Sequence, residues 1–222
     1  MNAAPEIYRR AAVLPLFRGC SENEILDVLL SLYARPRKVA RGETLYNEGA
    51  EAQSIAVVLN GRLEEVQSGA DASRVQVIRT LTFGDLFGAA LVASPVTAYP
   101  ATLRALEASE VLQFDLQQLI RMREAERNLK FFSNLLEAIC YTSYYLWQKV
   151  KILSCPTIAE KVVAGVRLLQ ELFCEEEIEL PFGRQGFADY LGVNRSALSR
   201  TMSDMQASGR IVFKGRRIRV VR

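Results

Sequence analysis

The chain of 222 residues contains no histidine. That one absence removes Ser-His-Asp and Cys-His catalysis, most zinc sites, histidine-ligated haem and the commonest general base. Cysteine is scarce. The four present, Cys20, Cys140, Cys155 and Cys174, are scattered and form no Cys-x-x-Cys pair. A disulfide framework is not expected in so long a chain, and a cytoplasmic setting fits better. There is no run of about 18 apolar residues, so no membrane span is expected. The first residues, MNAAPEIYRR, lack the basic-then-apolar order of a secretion signal. Neither Gly-x-Ser-x-Gly nor the phosphate loop Gly-x-x-x-x-Gly-Lys-Ser/Thr occurs. An enzyme is therefore not expected, and no metal site is predicted.

What remains is an ordinary globular composition, 50% hydrophobic and 24% charged. The length allows one large domain or, more naturally, two smaller ones with separate cores. The net charge is only +3 but is unevenly placed. From Leu180 to Arg222 there are nine Lys and Arg against two Asp and Glu, whereas the first 179 residues carry 19 against 23. A basic end on a mildly acidic body predicts a polyanionic partner for that end. A merely solvated basic tail is the alternative.

Three regions separate by hydrophobic period. Residues 1–35 read as helical, with Ser21-Glu22-Asn23-Glu24 at capping-box spacing before ILDVLL. From about Val39 to Phe114 the pattern is short strands: TLYN, SIAVVL, RLEEV, VQVIRTL, ATLRAL and EVLQF. Turn signals at EGAEAQ, NGR, SGADAS, FGD and EAS divide them, with Gly42, Gly49, Gly69 and Gly84 as further turn glycines and Asn60-Gly61 as a tight-turn pair. Strands at this spacing predict a β-sandwich or barrel-like roll.

From about Leu116 to Leu153 the period is helical again. Leu129, Phe132, Leu136, Ile139, Ser143, Leu146, Val150 and Leu153 step alternately by three and four, an a/d seam with Ser143 its one polar member. So narrow a seam predicts a self-associating helix; a helix buried against its own domain is the alternative. The corner Ser154-Cys-Pro-Thr157 ends the run, and Thr157-Ile-Ala-Glu160 is a second capping box. The expected divisions are a body at 1–128, a long helix with its hinge at 129–156, and a C-terminal domain at 157–222. That last domain reads as a helix (about 158–173), an acidic turn CEEEIELPFG, a helical pair and a final strand pattern turning at Lys214-Gly215-Arg216. The adjacent glutamates lack other ligands in register and read as solvated surface.

The helical pair is FADYLGVNRSALSRTM, residues 187–202. Ala188 is small where two helices would cross. Gly192 can adopt the positive φ that ends the first helix, Val193 seals the turn and Asn194 is a strong N-cap for the second. Leu198, Met202 and Met205 face a core, which leaves Arg195, Ser196, Ser199 and Arg200 on the opposite face. This is a helix-turn-helix pattern whose second helix offers arginines suited to guanine edges and serines suited to bases or phosphates. RIVFKGRRIRVV then reads as a two-stranded wing whose Lys214, Arg216, Arg217 and Arg219 can lie along phosphates. Arginines on a helix are usually just solvated. The basic end, the wing and the seam together favour DNA.

With these segments in order (RGETLYNEG, SIAVVLNGRLE, FGDLFG, the long helix, FADYLGVNRSALSRTMSDMQASGRI), nearly the whole chain resembles the Crp–Fnr transcription regulators. The resemblance implies an α+β protein: an N-terminal cyclic-nucleotide-binding-type β-roll (a double-stranded β-helix or jelly roll) that senses an effector, flanking helices, a long dimerisation helix and a C-terminal winged helix-turn-helix. It implies a homodimer on a palindromic promoter site, with RNA polymerase as a further partner. Dimerisation would fall to Phe132, Leu136, Ile139, Leu146 and Val150. Residue by residue, Arg195 and Arg200 match recognition-helix arginines, and Ser199 matches a base- or phosphate-contacting serine of the Fnr-like branch. Arg184 and Gln185 match a phosphate-contacting pair. Ser196 stands where many members carry a base-reading glutamate, which changes the expected half-site. Gly183 and Gly186 replace a capping Thr and a helical Glu, and Gly186 is expected to cost roughly 1 kcal/mol of helix propensity against alanine.

In the family's cyclic-AMP receptors an Arg-Ser pair grips the cyclic phosphate and a Glu takes the ribose hydroxyl. Here FGDLFG offers Asp85 for the Glu, and Tyr99 and Pro100 stand at the arginine and serine positions. Pro100 has neither an N–H nor a hydroxyl to give a phosphate. Cyclic AMP is therefore not the expected effector, although a cyclic-nucleotide-responsive sensor remains the alternative. Arg104 reads as a surface or inter-strand residue. The iron–sulfur branch needs clustered N-terminal cysteines, and only Cys20 is there; haem-sensing members use a histidine. No such cofactor is expected. Cys140 and Cys155 leave a redox signal open as an alternative to a small molecule, but isolated cysteines in helices read first as buried packing residues. The expected effector cavity is flanked by Phe83, Gly84, Asp85, Leu86, Phe87, Tyr99 and Pro100, with Tyr141, Tyr144 and Tyr145 of the long helix. A small, partly aromatic or acidic effector would suit it; a regulator set by abundance alone is the rival.

Overall fold

A computed structural model describes residues 4–68, 75–125 and 127–221. The turn predicted at SGADAS, with Gly69, lies outside the described residues apart from Ser68. By its contacts the chain forms two units, residues 1–67 with 80–142, and residues 68–79 with 143–222.

The first unit starts with α1 (Ala4–Ala11), a 3-10 turn at Pro15–Phe17 and α2 (Glu22–Ser31). The capping box forms as its spacing predicts: Ser21 accepts from the Glu24 amide, and the Glu24 carboxylate accepts from the Ser21 amide. The strands are β1 (Arg35–Val39), β2 (Thr44–Tyr46), β3 (Ser54–Asn60), β4 (Leu63–Ser68), β5 (Val75–Leu81, whose residues up to Arg79 are grouped with the second unit), β6 (Leu86–Phe87), β7 (Thr102–Ala105) and β8 (Ser109–Asp115). They make two antiparallel sheets, ordered β1-β8-β3-β6 and β2-β7-β4-β5, which is the expected roll. Central β3 is buried from Ser54 to Val58, so its sequence is a continuous apolar run. Gly61, after Asn60, has φ +87, and a Cβ there would lie 2.4 Å from Ser109 Oγ, so both the turn and the close approach require glycine. The sequence pattern misses β1. Its residues RPRKV are mostly exposed and include Pro36, which an edge strand tolerates and a central one does not.

Helix α3 (Leu116–Glu124), capped by Asp115, leads to α4 (Leu129–Ser154), 26 residues long. Phe131 and Leu135 of α4 are buried in the first unit, Tyr145, Lys149 and Ile152 in the second. The contact division falls at Thr142/Ser143, inside the helix, and the helix itself ends at Ser154. The reason is that the second half of α4 buries its inner face in the C-terminal unit.

That unit continues with α5 (Ile158–Phe173), β9 (Ile178–Glu179), α6 (Arg184–Leu191), α7 (Arg195–Ala207), β10 (Ile211–Lys214) and β11 (Arg217–Val220). Thr157 and Glu160 form the second capping box. The acidic turn is not solvated throughout. Glu175, Glu176 and Glu177 are exposed, but Ile178 is fully buried and pairs with Ile218, so the wing sheet has three strands, β10-β11-β9.

Candidate nucleic-acid interface and sensor cleft

Helix α6 packs Phe187, Ala188, Tyr190 and Leu191 into the core of the second unit. Gly192, with φ +64, closes it: its N–H bonds back to the carbonyls of Ala188 and Asp189. Asn194 then caps α7, its Oδ1 accepting from the Ser196 amide at 2.9 Å and the Ala197 amide at 3.3 Å. Leu198, Met202 and Met205 point inward. The outer face carries exposed Arg195, Ser196 and Arg200, with Ser199 half-buried beside them. The Ser196 hydroxyl also donates to Asn194 Oδ1 at 2.6 Å, so it faces a ligand first as an acceptor.

The flanking cations differ in their surroundings. Arg184 stacks over Phe213 at 4.8 Å and is half-buried; burial, with the nearby charge of Arg195, lowers its pKa. Two cations held together in this way form an anion-seeking patch. Gln185 donates to the Asp189 carboxylate at 2.8 Å along its own helix. On the wing, Lys214 and Arg217 are exposed, whereas Arg216 meets Glu179. The expected propensity cost of Gly186 needs correction. A Cβ there would sit 2.7 Å from Phe182 Cβ, so alanine would clash and the glycine answers a close contact.

In the first unit an aromatic cluster packs inside the roll. The Tyr99 ring lies 4.4 Å from that of Tyr46 and 5.6 Å from that of Phe87, and its hydroxyl donates to the Ser54 carbonyl at 2.8 Å. Tyr46 is tied to Ser54 and Gln113, and burial pushes its phenol up to about 12. Asp85 closes its own turn, accepting from the Thr82 amide at 2.8 Å. A cleft of about 270 Å³ does exist, between the Pro15–Phe17 turn, the Phe83–Leu86 segment and the first half of α4. Phe83, Gly84, Asp85, Leu86 and Tyr141 line it, as do Arg18, Asn134 and Glu137, which sequence reasoning missed. Those three come from segments more than 100 residues apart, and no local pattern pairs them. Phe87 and Tyr99 lie in the core instead, Pro100 is exposed, Tyr144 is exposed and Tyr145 is buried against Tyr190 in the second unit. Cys140, expected as packing, is exposed.

Two family models match this chain: a cyclic nucleotide-binding domain at residues 36–126 and a Crp-like helix-turn-helix domain at residues 166–222. The chain belongs to the Crp–Fnr family of transcription regulators. It is 24% identical over 213 residues to the transcriptional activator protein FnrA of Stutzerimonas stutzeri, covering 94% of this chain and 84% of that one. Among solved structures, FixK2 of Bradyrhizobium japonicum superposes with a TM-score of 0.69 at 20% identity, covering 85% of this chain and 93% of that one. The c-di-GMP-responsive global regulator CLP of Xanthomonas campestris gives 0.73 at 16%, covering 91% and 100%. These two share the fold. Like its Crp–Fnr relatives, the chain is a DNA-binding transcription regulator.

The segment matched as a cyclic nucleotide-binding domain holds the positions where the resemblance puts a phosphate grip, and their side chains have other partners. The Tyr46–Phe87–Tyr99 stack occupies the interior. Arg104 is the inter-strand residue it was expected to be: its guanidinium meets Glu64 at 2.5 Å, directly across β4 and β7. Pro100 gives its carbonyl to Gln67 and has no N–H to offer. A buried phosphate without a charge-assisted partner is very costly.

Proposed function

We propose that this regulator works as a homodimer joined along α4, places two α7 helices in successive major grooves of an inverted repeat, and adjusts that binding to a small effector held in the cleft beside Phe83. The observation that carries the reading is the outer face of α7. Its exposed arginines stand on a helix capped by Asn194 and are flanked by a basic wing. Leu136, Leu146 and Val150 of the seam project from α4, while Phe132 and Ile139 are half-buried against their own roll. The first three are therefore the dimer contacts of choice. The effector cleft combines aromatic edges, Phe83 and Tyr141, with the Arg18–Glu137 pair and Asn134, which suits a small planar molecule with polar ends better than a phosphate. Haem and iron–sulfur clusters are not part of the proposal, because the donor set is four separated cysteines and no histidine. RNA polymerase is the proposed further partner, and the cytoplasm the place of action.

The test is selection of duplexes from a random library by the purified full-length protein. An inverted repeat is expected, with half-site centres roughly 34–36 Å apart. Enrichment of asymmetric sequences, or of none, would contradict the reading. Calorimetry with cyclic AMP and cyclic GMP should show no micromolar binding; such binding would restore the cyclic-nucleotide alternative.

A further inference from the structure

The last turn of α6 is gripped from two directions. A helix end leaves its final carbonyls unpaired, and these are commonly left to water. Here Gln76 of β5 donates to the Asp189 carbonyl at 2.6 Å and the Tyr190 carbonyl at 3.3 Å. Lys149 of α4 donates its Nζ to the same Tyr190 carbonyl and sits 3.2 Å from the centre of the Tyr190 ring. One turn earlier on α4, the Tyr145 hydroxyl lies 3.2 Å from the Tyr190 hydroxyl and 3.4 Å from the Ile78 carbonyl.

Lys149 is only 2% exposed and Tyr190 only 1%. Lysine is almost never buried so fully without a carboxylate partner. Among the described residues, the titratable groups around it are the Tyr145 and Tyr190 phenols and Lys161 of α5, and no acid is paired with it. Burial, aided by the charge of Lys161, holds its pKa well below the ordinary lysine value. An apolar residue of the same length would fill this space at lower desolvation cost. What the amine supplies, and a methionine cannot, is a hydrogen bond to the end of α6, the end of a helix that favours a donor or a cation. Two residues further on, Gly192 makes the turn and Asn194 starts α7. The contacts at Tyr190 thus lie within one short turn of the start of α7.

We infer that Lys149 is a positioning residue for the DNA interface: acting through Tyr190, it fixes the recognition helix against the second half of α4 and so sets the half-site spacing that the dimer accepts. Gln76 supports it from β5. This inference rests on the proposed binding of an inverted repeat. It differs from a base or phosphate contact, because neither residue would touch DNA.

The experiment compares the full-length protein with Lys149→Met and Gln76→Ala. The probes are the repeat selected by the wild type and the same repeat with one base pair added to or removed from its centre. Lys149→Met should melt cooperatively, stay dimeric and keep the wild-type salt slope. It should bind the selected repeat about tenfold more weakly, the order of one lost buried hydrogen bond. It should also lose most of its preference over the altered spacings. Gln76→Ala, at a half-buried site, should move spacing preference the same way by less. Unchanged spacing preference in both variants would overturn the inference and leave the proposed function standing. So would loss of cooperative melting in Lys149→Met with wild-type spacing in Gln76→Ala, which would make the cluster simple core packing. If the wild type selects no repeat at all, the proposed function falls first and takes the inference with it.

Discussion

Arginine is used in opposite ways in the two units. In the first, Arg10 meets Glu110 at 2.7 Å, Arg104 meets Glu64 at 2.5 Å and Arg127 meets Asp27 at 2.7 Å. These pairs tie together segments distant in sequence, while Arg9, Arg35 and Arg41 of the same unit stay exposed. On α7 and the wing, Arg195, Arg200, Lys214 and Arg217 have no ion-pair partner among the described residues, and only Arg216 is matched, by Glu179. A partly exposed pair contributes about 1 kcal/mol or less to stability. The unmatched cations contribute repulsion instead, which only an external anion offsets. The comparison teaches that a count of arginines says less about function than whether the fold has already neutralised them. The roll repeats the lesson for cavities. Its aromatic residues Tyr46, Phe87 and Tyr99 are spent on core packing, while Phe83 and Tyr141 border an open cleft.

The largest expected effect comes from breaking the assembly that doubles the unmatched cations. Leu136, 60% exposed, belongs to the proposed seam and not to its own core. Leu136→Asp should bury an unpaired charge twice per dimer, at several kcal/mol. Sedimentation should then give a monomer, and affinity for the inverted repeat should collapse while the roll stays folded. A dimer that persists would place the interface elsewhere. Next in size is Arg200→Ala, which should cost about 1–3 kcal/mol and relax selectivity at one base pair per half-site. Equal losses on cognate and random duplexes would remove Arg200 from base reading. Smaller again is the wing. Arg217→Ala should weaken all duplexes alike and lower the salt slope by about one per site. Arg216→Ala should do less, because Glu179 already offsets its charge. A larger effect at Arg216 than at Arg217 would mean that the Glu179 pair opens on DNA.

The smallest effect belongs to the ion pairs of the first unit. The Asp27 pKa is held below its usual value by the hydrogen bond from Asn128, then by Arg127. Its stabilising contribution is therefore complete above the unfolded carboxylate value of about 3.9 and is lost as the pH falls through the lower folded value. Asp27→Asn should flatten the acid limb of the melting curve slightly and leave DNA binding unchanged.

Much of this was legible in the sequence, for reasons that are local. Capping boxes at Ser21 and Thr157, the Gly192 turn and the Asn194 cap are short-range chemistry, and each forms as its spacing predicts. So is the alternation that places Leu198 and Met202 inside and Arg195 and Arg200 outside. What the sequence hid is long-range. Strand β1 is charged because it is an edge, and Ile178 sits in an acidic run yet pairs with Ile218. Gly186 reads as a weak helix residue until Phe182 is seen against it. The Arg18–Glu137 wall of the cleft and the Lys149–Tyr190 clamp join residues 119 and 41 positions apart, which no periodicity reports.

The central claim is that the unmatched cations of α7 read a base sequence and do not merely attract phosphate. The most direct measurement is the affinity of the wild type for its selected inverted repeat and for a random duplex of equal length, each across a salt series. The account predicts parallel, steep salt slopes separated by a constant gap of at least about 10³ in affinity. Two lines that coincide at every salt concentration would reduce the C-terminal unit to a non-specific basic surface and contradict the account.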